Sequence, residues 1–129
     1  MNEEVKWTRN DPRGFKVILK KSTYTEHIIG DHSDGDRKGR IIASDIAPDV
    51  IEKPRYIFRA SSSGEQERET YFDTMIIDET GKLRCIVVVV DAEKEPREVI
   101  TVLLERKIKN TLTKEGLVYD SSSPEKHKL

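Results

Sequence analysis

The chain has 129 residues, the length of one domain, with 36% of them charged and 35% apolar, so its core is concentrated in a few stretches. Its 23 basic and 24 acidic side chains leave a net charge of −1, which excludes the overall basic bias common in nucleic-acid binders; any basic surface must be local. A single cysteine excludes an internal disulfide, and no apolar run approaches the ~20 residues of a membrane span.

Met1–Gly14 is polar, with Asp11-Pro12 and Gly14 as breakers, and reads as an irregular lead-in (residues 1–14) anchored by Trp7. No apolar stretch of the Sec-signal kind opens the chain, so a soluble protein of the cytoplasm is expected. Residues 15–120 read as one α+β domain. Phe15–Leu19 is short, apolar and β-leaning. Thr23-Tyr24-Thr25-Glu26 matches a capping box for a helix running to about Ile29, and Gly30 is placed to stop it. Asp31–Gly39 is a mobile loop by composition. Arg40–Asp45 opens a second helical segment, with Pro48 suited to an early helix position and Pro54 closing it.

From there the pattern turns strand-like. Tyr56–Ala60, Thr70–Ile77, Lys82–Asp91 and Glu98–Arg106 are joined by short connections, which predicts an antiparallel meander of four strands under an N-terminal helical part. Leu83–Val90 is apolar on both alternating sets and should be the central strand, with Cys85 a buried thiol inside it. Gly116–Asp120 suits a short edge strand, and 121–129 reads as a disordered tail, so His127 carries no functional weight.

The chemistry-bearing stretch is Thr25–Asp36, which holds His27 and His32. Imidazole exchanges protons near neutral pH, and two imidazoles with arginine nearby form a minimal kit for cleaving a phosphodiester without a metal. On one unbroken helix a spacing of five would put them on different faces. A break at Gly30 lets the chain fold back and bring both to one cleft. The alternative is a partly buried helical His27 and a solvated His32. The spacing fits neither a zinc site nor a calcium loop, and no phosphate-cradling glycine loop is present. Cations are offered by Arg37, Lys38, Arg40, Arg55, Arg59 and Arg84. Thr101 interrupts the last apolar strand.

The order of these pieces is a strand, then His27-Ile28…His32, then I-x2-D-I-x-P-D-x-I-x-x-P over Ile42–Pro54, then Val87–Val90, then V-I-T-V over Val99–Val102. It resembles the phage- and mobile-element-type nuclease domains of the barnase–EndoU–colicin–RelE superfamily, from about Phe15 to Arg106. The resemblance implies metal-independent RNA cleavage by a toxin or effector with no cofactor. His27 and His32 would be the acid/base pair and Thr101 a further catalytic group, with Arg59 or Arg40 binding phosphate. It also implies RNA as substrate, a cognate inhibitor or immunity protein as partner, no membrane, and action in the cytoplasm or in that of a target cell. The rival reading is a non-catalytic protein-binding module in which both histidines are incidental.

Overall fold

In the computed structural model, which describes residues 4–30, 34–60, 68–76, 83–105 and 117–122, the strand Leu83–Asp91 is the middle one of a seven-stranded sheet. Both of its side-chain sets are buried: Ile86, Val88 and Val90 are fully covered on one, and Cys85 and Val87 are nearly so on the other. In chain order the strands are β1 (Val5–Asn10), β2 (Lys16–Lys20), β3 (Tyr56–Ala60), β4 (Arg68–Ile76), β5 (Leu83–Asp91), β6 (Arg97–Glu105) and β7 (Leu117–Asp120). Their spatial order is β1-β2-β6-β5-β4-β3-β7.

This corrects the expected fold. The run β3-β4-β5-β6 pairs antiparallel throughout, but it is only the middle of a larger mixed sheet. Three things extend it. The lead-in expected to be irregular contains β1, whose Trp7 packs on the core. β1 forms a hairpin with β2, and β2 pairs parallel to β6 through Val17 opposite Arg97 and Ile18 opposite Glu98. At the other edge β7 pairs with β3. A polar strand such as VKWTRN gives little apolar signal because it lies at an edge, where most of its side chains stay exposed or half-buried.

The helical part also differs. α1 (Lys21–Thr23) runs into a π-helical turn (Tyr24–Ile28), closed by the Ile29 N–H donating to the Tyr24 carbonyl at 3.1 Å. Gly30 follows where a Cβ would collide with the Glu26 carbonyl, so glycine is what lets the chain leave the turn. α2 spans Asp34–Glu52, so the backbone of 34–39 is helix where a loop was expected. The topology explains the length. After β2 the chain must cross to β3, four strand spacings away, or about 19 Å, and 19 residues of helix cover about 28 Å. Ala43, Ala47, Val50 and Ile51 recur at helical spacing and are all buried in the same core cluster as Val17, Leu19, Ile57, Tyr71, Val88 and Val102.

Pro48 therefore sits inside α2 rather than near its start. It has no N–H for the Ser44 carbonyl, and burial of the apolar face outweighs that loss. Pro48→Ala should raise stability by about 2–2.6 kcal/mol, the interior-proline penalty less the entropy that proline removes from the unfolded chain. Denaturant midpoints measure this. An unchanged midpoint would mean the helix begins close to Pro48, as the sequence pattern had it.

Candidate functional site

Three of the predicted site residues lie along β6. His27 lies within the π-helical turn and is exposed, while its neighbour Ile28 is fully buried and pins the turn to the core. The turn lies against the first half of β6, where Thr23, His27, Asp91, Glu98, Val99 and Ile100 line a depression of about 230 Å³. The lining ends one residue before Thr101. Arg40 reaches that position from α2: its Nη1 donates to Thr101 Oγ1 at 3.2 Å and, at 3.5 Å, to the Val102 carbonyl. Three of the five sequence-predicted residues thus gather along Glu98–Val102 of one strand. His32 lies outside the described residues.

Arg59 does not join them. It stands on β3, three strand spacings from β6, or about 14 Å, and its Nη2 donates to Glu69 at 3.1 Å. The carboxylates beside His27 are engaged as well. Glu98 pairs with Lys20 at 3.2 Å, and Asp91 Oδ1 accepts the Glu93 N–H at 3.0 Å. Their charge is therefore partly neutralised at the depression. Among the described residues no group of three or more His, Cys, Asp or Glu side chains is placed to hold a metal ion, and no helix is long and apolar enough to cross a membrane.

A second constellation escaped the sequence reading. Glu69 is wholly buried, and three arginines converge on it: Arg13 from the β1–β2 turn, Arg59 from β3 and Arg97 from the start of β6. Arg13 Nη1 and Nη2 reach the two oxygens at 3.1 and 2.6 Å, while Arg97 Nη1 donates to Oε1. Asp11 completes the group by accepting from Arg13 Nε and Nη2 and from the Tyr71 hydroxyl, the last at 2.7 Å. Asp11 Oδ1 also accepts the N–H groups of Arg13 and Phe15, which shapes the turn that Gly14 enters at φ +93°. Phe15 lies over the Arg97 guanidinium, its ring centroid 3.8 Å from Cζ. The only sequence trace of this network is Glu69 standing two residues before Tyr71 and therefore on its face of β4.

In comparisons with protein-family models, curated proteins and solved structures, nothing matches this chain.

The network sets the pH limits of the fold. Burial acts to raise the Glu69 pKa, but the hydrogen bond and charge of Arg13, with Arg97 and Arg59, outweigh it and leave the carboxyl below its ordinary 4.5. Burial and the charge of Asp11 push the Tyr71 hydroxyl well above its ordinary 10. A depressed carboxyl gives stability that is present above its unfolded pKa and lost as pH falls through the folded value; a raised hydroxyl gives stability that is full below about 10 and lost as pH climbs. Thermal midpoints should accordingly be flat from about pH 5 to 9 and fall on both sides. Glu69→Gln should cost about 3–5 kcal/mol at pH 7 and flatten the acid limb; Tyr71→Phe should flatten the alkaline one. An acid limb equally steep in Glu69→Gln would assign it to other carboxylates.

Proposed function

We propose that this chain is an endoribonuclease of the toxin or effector type, cleaving RNA through attack of the ribose 2′-OH with a pair of histidines and no metal cofactor. The observation that carries the reading is the gathering of His27, Arg40 and Thr101 on one stretch of β6, beside a depression open to solvent. Each brings a needed function. Imidazole transfers protons near neutral pH. The guanidinium supplies fixed positive charge for a phosphate. Thr101 Oγ1 accepts from Arg40, which leaves its own O–H as a donor toward a phosphate oxygen.

In this mechanism one of His27 and His32 removes the 2′-OH proton as that oxygen attacks phosphorus. The P–O5′ bond breaks, and the other histidine gives its proton to the leaving 5′-oxygen. The products are a 2′,3′-cyclic phosphate and a free 5′-OH, so protons balance between the two imidazoles. Arg40 and Thr101 steady the charge that builds on the phosphoryl oxygens in the transition state. A cognate inhibitor protein suits such an activity in the cell that makes it.

One observation favours the non-catalytic binding module instead. Asp91 and Glu98 place two carboxylates in the wall of the His27 depression, and carboxylates oppose a phosphate. Protein ligands with basic side chains suit that wall better.

Purified protein incubated with RNA in EDTA separates the two. The nuclease reading expects cleavage with a bell-shaped pH–rate profile, and His27→Ala and His32→Ala each slower by about two to four orders of magnitude. The double variant should be little worse than either single, because the pair works as a unit. Thr101→Val should cost about three- to tenfold, the worth of one hydrogen bond. DNA, which has no 2′-OH, should stay intact. Wild-type protein inert on every RNA, or a His27→Ala variant as active as wild type, would favour the binding module.

A further inference from the structure

Beyond the depression, the same end of the sheet carries an aromatic ring set among guanidinium groups. Phe15 is a large apolar side chain left 40% exposed. Its ring rests on Arg97, 3.8 Å from centroid to Cζ, and lies 5.0 Å from the Arg13 guanidinium. Cation–π contact of this kind fixes the ring while leaving the rest of it in water. Arg59 meets Arg13 and Arg97 at Glu69 and is the most open of the three, with 42% of its side chain exposed against 14% for Arg13 and 10% for Arg97. Charge decides the sign of the surface: Arg13, Arg59 and Arg97 against Asp11 and Glu69 leave one positive charge. Arg97 is followed directly by Glu98, which lines the His27 depression and lies opposite Asp91, another lining residue. Both features lie at the start of β6, and alternation along the strand turns Arg97 and Glu98 to opposite faces.

We infer that Phe15 and Arg59 form a subsite for one unpaired nucleotide of a single-stranded RNA, the base stacking on the ring and its phosphate meeting the guanidinium. This rests on the reading of RNA as substrate and adds to it that the RNA must be single-stranded here. Every base has a π-face, so a ring held by a cation and offered to solvent takes any unstacked base, while a base inside a duplex cannot reach it. The one net positive charge answers the local basic surface that a chain of net charge −1 has to supply somewhere.

The probe is a fluorescent single-stranded oligonucleotide with 2′-O-methyl riboses, which binds but has no 2′-OH to attack, read by anisotropy across a salt series. Phe15→Leu keeps an apolar cover over Arg97 and removes the π-face; it should weaken binding by about five- to a hundredfold. Arg59→Gln should lower the slope of log affinity against log salt by about 0.7, one phosphate contact on a single strand. Inorganic polyphosphate should bind Phe15→Leu and wild type alike. In single-turnover cleavage of ordinary RNA, Phe15→Leu should raise the half-saturating protein concentration and leave the saturated rate unchanged. If Phe15→Leu fails to fold, Phe15→Trp decides, with tighter binding expected from its larger ring. Wild-type binding by Phe15→Leu, or no tightening by Phe15→Trp, while cleavage proceeds, would overturn the subsite alone. A wild type that neither binds nor cuts any RNA would overturn the RNA reading and the subsite together.

Discussion

The Glu69 carboxylate, buried under three guanidinium groups, is the interaction on which this sheet depends. Its partners come from the β1–β2 turn, from β3 and from the start of β6, so one side chain on β4 ties together both halves of the sheet. A carboxylate out of water without partners would be strongly destabilising, and the three guanidinium groups together offset that cost. The consequence is positional. Arg13 and Asp11 hold the β1–β2 hairpin over the start of β4 through Glu69 and Tyr71, and the hairpin carries β2 into its parallel pairing with β6. Only two residue pairs join β2 to β6, Val17 with Arg97 and Ile18 with Glu98, so backbone bonding alone is a weak tether. The ionic network fastens the same end of the same strands.

That placement determines what β6 can present. Because β2 pairs only with its first residues, the following stretch of β6 is approached by other elements. The π-helical turn brings His27 to Glu98–Ile100, and α2 brings Arg40 to Thr101 and the Val102 carbonyl. A longer β2 would have covered this edge with backbone. Its shortness is what admits two side chains with useful chemistry, and the Gly30 break after the turn lets the chain pass from one to the other.

The sequence shows the middle of the sheet well and its edges poorly. Val87–Val90 announces a buried strand because neither face can be polar, and the strands around it carry enough β-branched and aromatic residues to be seen. β1 carries this signal faintly: Val5, Trp7 and Thr8 stand among Lys6, Arg9 and Asn10, and of them Trp7 alone packs on the core. The early turns of α2 read as loop because Asp34-Gly35-Asp36 is turn-like in composition, whereas the need to cross the sheet extends the helix. For the site, the residues themselves pointed to the histidines, while the resemblance added Thr101 and offered Arg59 or Arg40 without choosing between them. Both arginines look alike in sequence, and their fates differ because of Glu69. Nothing local signals that a glutamate and arginines 10, 28 and 56 residues from it will meet, since such a pairing is made by topology.

Net charge is then the wrong scale on which to weigh what this surface binds. With 36% of its residues charged, several basic and carboxylate groups neutralise each other in pairs or in the Glu69 network, which a sum over the sequence does not show. What a ligand meets is the remainder at each place. Around Phe15 the remainder is one positive charge beside an exposed ring. At the His27 depression it is two carboxylates, one facing Lys20 and the other holding the Glu93 N–H, next to an imidazole and just short of Arg40. A polyanion meets positive charge at the first patch and two carboxylates at the second. Such a ligand binds by its fit at several contacts, with little long-range attraction to bring it in, so its association rate should depend only weakly on salt.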